Sequence, residues 1–212
     1  MAVGTFSLSN IQMRGRVGDL VFLPQENGRV IVRRVPTSMP GRTALQRESE
    51  GRMRRVGAAW QALTMAEGEA WARWAAGEGR RAYNAFLGLS AKRMQVFPAE
   101  APPRLPPTSA FLGDGIVVEG GGSGAEGGIV FSASGPNSEG VLTELLAARL
   151  KSVHRTAGPK EYRTRGFVAF AAGSLEAVVP VEAGAWALAV RFVRAETGQE
   201  TAVVPIGKVV VG

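Results

Sequence analysis

Between Phe97 and Thr108 the sequence reads Phe-Pro-Ala-Glu-Ala-Pro-Pro-Arg-Leu-Pro-Pro-Thr, five prolines in twelve positions. Proline fixes φ and supplies no amide donor, so this stretch excludes helix and stiffens the chain toward polyproline II. The hydrophobic pattern also changes across it. Ahead of it apolar residues recur at helical spacing; beyond it short apolar runs alternate with glycine-rich turns. The expected architecture is α+β in two domains. Residues 1–97 form a β-hairpin with three short helices, 98–108 a proline-rich linker, and 109–212 a β-sandwich of the immunoglobulin or fibronectin type.

The helices announce themselves by their starts. Thr43 is followed three positions later by Gln46, and Thr64 by Glu67, the spacing at which hydroxyl and side-chain acceptor satisfy two orphan amides of a helix N-terminus. Helices are predicted over about 44–63, 65–76 and 81–94, the second stopped by Gly77-Glu-Gly79. In the first, Leu45, Met53, Val56, Trp60 and Leu63 keep to one stripe, while Arg47, Arg52, Arg54 and Arg55 fall mostly off it. That predicts a buried seam with a basic back. Trp60, Trp71, Trp74, Tyr83 and Phe86 are expected to form an aromatic hub, each large ring burying on the order of 150 to 250 Å². Before the helices, Asp19–Pro24 and Arg29–Val35 alternate around Asn27-Gly28, a strong hairpin signal. Val30, Val32 and Arg34 share one face of the second arm and Ile31, Arg33 and Val35 the other, so neither face is wholly apolar. A two-stranded ribbon is marginal in water, and this one is expected to lean on the helices or on a neighbouring subunit.

Beyond the prolines, strands are predicted at about 115–119, 128–133, 142–153, 167–170, 174–180, 185–194 and 200–210. In the sixth, Trp186, Leu188, Val190 and Phe192 alternate with Ala185, Ala187, Ala189 and Arg191, giving a large apolar face and a small one. Leu142–Leu150 has helix-favouring composition, yet no helical stripe, and is read as the third strand.

Composition removes several chemistries. There is no cysteine, and His154 is the only histidine, so thiolate or multi-histidine metal sites are out of reach and any histidine-based catalysis runs through His154. His154 has a serine and basic residues nearby but no acidic orienter, which makes an exposed loop the simpler reading. Gly122-Ser-Gly-Ala-Glu-Gly127 matches a dinucleotide-binding glycine pattern, but a strand follows where the pyrophosphate needs a helix N-terminus; an inter-strand loop is expected. No cofactor is implied, and the chain is read as non-enzymatic. No apolar run approaches the roughly 18 to 20 residues that span a bilayer, and no secretion signal opens the chain, so a soluble, unprocessed protein is expected.

The net charge of +7 is uneven: residues 1–58 carry +6, 59–97 carry +2 and 98–212 carry −1. Arg33, Arg34, Arg47, Arg52, Arg54 and Arg55 are the candidates for an interface with an acidic protein surface or with nucleic acid. Against base reading, the second helix offers mainly Ala, Glu and Gly. The preponderance of Arg over Lys, with abundant Ala and Gly, is compatible with a GC-rich, thermophilic source.

In residue type and spacing, residues 15–90 resemble a recurrent class of bacteriophage and prophage virion structural proteins. The resemblance rests on a glycine-rich hairpin (Gly15-Arg-Val-Gly18 and Gly28-Arg-Val-Ile-Val-Arg-Arg34), on Pro40, Thr43, Gln46 and Arg52, on Trp60, Leu63, Thr64, Glu67 and Trp71, and on Asn84-Ala-Phe86. It implies a structural component of head, neck or tail located in the virion. Its partners are other virion proteins and copies of itself. A DNA-binding accessory protein using the N-terminal arginines is the alternative.

Overall fold

The computed structural model describes residues 14–25, 29–35, 41–123 and 127–212. Among these described residues three strands come first, β1 (Gly15–Val17), β2 (Leu20–Pro24) and β3 (Val30–Arg34), in one antiparallel sheet of order β1-β2-β3. The expected hairpin is therefore widened by a strand. Its signal was Gly18-Asp19: Gly18 adopts φ +59° in the two-residue turn that sets Val17 opposite Leu20. Asn27-Gly28 and the 36–40 connector lie outside the described residues. Pro24 pairs with Val30, and the Gln25 amide donates to the Arg29 carbonyl at 2.7 Å.

Helices α1 (Ala44–Gln61), α2 (Met65–Gly77) and α3 (Ala82–Val96) follow. Both capping boxes form: the Thr43 amide donates to Gln46 Oε1 (2.9 Å) and the Gln46 amide to Thr43 Oγ1 (3.2 Å), and Thr64 and Glu67 exchange the same pair of bonds. The seam predicted for α1 is confined to its last turns. Val56 is fully buried and Trp60 and Leu63 are half-buried, but Leu45 is 77% and Met53 46% exposed. Among the described residues, the hydrophobic cluster shared with α2 and α3 begins only at Val56, past the earlier apolar positions of the stripe.

The proline-rich segment runs along the helices. The Trp71 indole N–H donates to the Arg104 carbonyl at 2.9 Å, and Arg104 holds the Glu67 carboxylate with bonds of 2.6 and 2.8 Å. Arg55 and Arg93 donate to the carbonyls of Pro98 and Ala101. Contacts divide the chain into units Met1–Arg47 and Glu48–Gly212, so no division falls at 98–108.

Seven strands complete the α+β fold: β4 (Val118–Ser123), β5 (Gly128–Ala133), β6 (Val141–Leu150), β7 (Arg163–Val168), β8 (Glu176–Pro180), β9 (Gly184–Arg194) and β10 (Val204–Val211). They form two antiparallel sheets, β4-β5-β8 and β10-β9-β6-β7. One apolar cluster draws on both: Val118, Ile129, Phe131 and Val179 from the first, Leu145, Trp186, Leu188 and Val190 from the second. The first of these strands is displaced from the expected 115–119 into the glycine run. A Cβ on Gly120 would come within 2.4 Å of Leu188, and one on Gly122 within 2.8 Å of Val209, so these glycines permit close packing inside a strand. Gly122 thus belongs to β4, Gly127 turns at φ +62°, and β5 follows; residues 124–126 lie outside the described set. Among the described residues, no helix is long and apolar enough to cross a membrane.

Candidate interfaces

In the N-terminal sheet no described residue is buried; each is exposed or half-buried. Register and alternation sort its side chains. One face carries Val17, Leu20, Phe22, Pro24, Val30, Val32 and Arg34, and the other Arg16, Val21, Leu23, Ile31 and Arg33. Val17 is 70% exposed, and Leu20, Leu23 and Ile31 each more than a third. Arg34 pairs with Asp19 across the sheet at 2.6 Å.

The six candidate arginines are shared between the two units. Arg33, Arg34 and Arg47 belong to the first unit and Arg52, Arg54 and Arg55 to the second. Arg52 pairs with Glu48 one turn earlier at 2.6 Å, Arg55 is engaged with the Pro98 carbonyl, and Arg33, Arg47 and Arg54 are exposed. The five hub aromatics do come together. Trp60 lies 5.6 Å from Tyr83 and 5.3 Å from Phe86 between ring centroids, and Trp71 lies 5.9 Å from Trp74 and 5.2 Å from Phe86, mostly edge to face. Trp71 and Phe86 are fully buried, Tyr83 40% exposed, which makes the hub a core. His154 is exposed, its backbone amide bonded to the Ser152 hydroxyl.

A buried charge cluster went unseen in the sequence. Glu144 of β6 is completely buried and receives Lys92 of α3 at 3.0 Å, Arg191 of β9 and the Thr164 hydroxyl. Glu200 pairs with the same two cations, 3.2 Å from Lys92 and 2.9 Å from Arg191. Burial pushes the Glu144 carboxyl up, but Arg191, Lys92 and Thr164 outweigh it and hold the group below the ordinary carboxylate range; Arg191 is held correspondingly high. Two cations and two anions balance, so the cluster ties α3 to the sheet without net charge. The available signal was a charge flanked by apolar residues inside each of two strands, Glu144 in β6 and Arg191 in β9. Beside it Gly198, at φ +74°, passes so close to α3 that a Cβ would lie 2.1 Å from the Leu89 carbonyl oxygen.

Clefts open on this unit among the described residues, two of them beside the turn after β9. One of about 390 Å³ lies between the proline segment and the turn after β9, lined by Arg93, Pro103, Pro106, Thr108, Arg194 and Thr197. The other, about 250 Å³, is lined by Trp74, Arg80, Leu89, Phe111 and Gln199 among others. Neither contains His154, and among the described residues no group of three or more His, Cys, Asp or Glu is placed to hold a metal ion.

Less obvious is the outward face of β4-β5-β8. Opposite the core-facing Val118, Ile129, Phe131 and Val179 it presents Glu119, Gly121, Val130, Ser132, Glu176 and Val178. Compared with known proteins, the chain matches no family model, and no curated protein aligns with it.

Proposed function

We propose that this chain is a non-enzymatic structural component of a phage or phage-like particle, in the head, neck or tail, working through repeated protein–protein contacts. The observation that carries the reading is the N-terminal sheet with no buried residue among those described. Fully burying a Val, Leu or Ile contributes about 1.5–3 kcal/mol, and a small sheet needs a covered apolar face to persist. Val17, Leu20, Leu23 and Ile31 leave most of that stabilisation to be supplied by a partner. The resemblance of residues 15–90 to virion proteins supports the same reading. So does the second unit, whose sheets follow the strand order first-second-fifth and seventh-sixth-third-fourth around one core, an order that fits a fibronectin-like sandwich suited to packing or display. Mass spectrometry of particles purified from the source organism is expected to find the chain at a fixed copy number. Its absence from those particles, with the purified protein monomeric, overturns the proposal.

A second reading, a DNA-binding accessory role, is favoured by exposed Arg33, Arg47 and Arg54. It requires duplex affinity that falls with salt at a log-log slope near −0.9 per phosphate neutralised. Replacing these three arginines with Ala should flatten the slope; a slope unchanged by the replacement, or none at all, removes this reading.

A further inference from the structure

Two three-stranded antiparallel sheets of this chain carry matching rows of opposite charge. In β1-β2-β3, Arg16 stands opposite Val21 and Val21 opposite Arg33. One face therefore bears the row Arg16–Val21–Arg33 beside the apolar pair Leu23–Ile31. In β4-β5-β8, Glu119 stands opposite Ser132 and Ser132 opposite Glu176, and the next outward row is Gly121–Val130–Val178. Glu119 and Glu176 are exposed, as is Val178 at 53%. Arg33, Glu119 and Glu176 enter none of the ion pairs among the described residues.

Neighbouring strands are about 4.8 Å apart, so in both sheets the two like charges stand about 10 Å from one another across the middle strand. The rows have the same span and opposite sign. Each is followed by an apolar row, and the acidic sheet is built of small residues: Gly121 and Ser132 leave room for Val21, Leu23 and Ile31. Two sheets packed face to face at the usual separation of about 10 Å bring Arg over Glu at both ends of the row and aliphatic side chains over Gly and Val between them.

We propose that the N-terminal sheet of one copy docks face to face on the β4-β5-β8 sheet of a second copy, head to tail. The inference rests on the assembly reading above and names the partner. A polyanion would satisfy the arginines but leave Leu23 and Ile31 uncovered, whereas a second copy covers both. Because the contact joins two different patches, it propagates to rings or open chains rather than stopping at a two-fold dimer.

Sedimentation and light scattering of the full chain test this. The mass of the wild type is expected to grow with protein concentration at about 50 mM salt and to fall back at about 500 mM. Arg16→Glu/Arg33→Glu and Glu119→Arg/Glu176→Arg should each weaken association about tenfold or more. The uncharged Gln versions at the same sites should weaken it about threefold to tenfold. An equimolar mixture of the two charge-reversed variants should assemble again, since each supplies the complement the other lacks. A wild type that stays monomeric throughout, variants that assemble like the wild type, or a mixture that stays apart would overturn the proposal. If the chain is nevertheless found in particles, the assembly reading stands and the head-to-tail contact alone falls.

Discussion

Glu144 lies midway along β6 with its carboxylate sealed between α3 and β9, and its three neighbours explain why it is tolerated there. Taking a carboxylate out of water costs several kcal/mol; Lys92, Arg191 and Thr164 offset this only while all are in place. Glu144→Gln leaves Lys92 and Arg191 buried with half their compensation, and a loss of about 3 kcal/mol in chemical denaturation is expected. The pH dependence follows from the depressed folded-state pKa. The contribution is complete above the unfolded value of about 4.3 and is lost as pH falls through the lower folded value. The wild type should therefore lose stability on acidification more steeply than Glu144→Gln. Gly198 makes a second prediction at this scale. Its φ is +74°, and a methyl carbon added there would lie 2.1 Å from the Leu89 carbonyl oxygen, so Gly198→Ala meets backbone, not a side chain that can yield. A loss of about 2 kcal/mol or more is expected, read as a lowered thermal midpoint.

At the scale of elements, the helices were legible because their ends carry local chemistry. Thr43 with Gln46 and Thr64 with Glu67 specify where amides must be capped, and the bonds form as the spacing dictates. Glu67 also receives Arg104, whose hydrogen bonds, with that from the Thr64 amide, hold its carboxyl down to about 2. Thr64→Ala is expected to cost about 1 kcal/mol in thermal or denaturant unfolding, since Arg104 still orients Glu67. Strand β6 was harder to read for a physical reason. It is central in its sheet, and both its faces are covered: Leu145 and Ala147 face the inter-sheet core, while Ala148 and Leu150 lie in a second cluster with Ala187 and, partly buried, Tyr162. A strand buried on both sides has no reason to alternate. The small face of β9 has the same origin: Ala187 and Ala189 are buried too, where an isolated alternation would have left them in solvent. Helix α1 errs in the other direction: its apolar period continues to Leu45, which is exposed, while the buried cluster among the described residues begins at Val56.

At the scale of the molecule, the three apolar clusters among the described residues draw on residues from Val56 onward. A chain lacking residues 1–40, which retains the Thr43 cap, is therefore expected to unfold cooperatively with a thermal midpoint within about 3 °C of the full chain. Under the head-to-tail contact proposed above, the same chain should no longer self-associate. A large drop in its midpoint would mean that the N-terminal residues stabilise the fold rather than an assembly. By itself the sequence determined what local rules determine: helix starts from capping pairs, the strand texture after the prolines, the aromatic set of the hub, and the concentration of positive charge in the N-terminal half. The tertiary structure alone decided what depends on residues far apart in the chain. It laid the proline segment along the helices through Arg104 and Trp71, brought Lys92 within 3.0 Å of Glu144, and set Glu119 and Glu176 on one row of a sheet. Capping and periodicity act over three or four residues and can be read along a line; burial and pairing act through space, and their partners are named only once the chain has closed on itself.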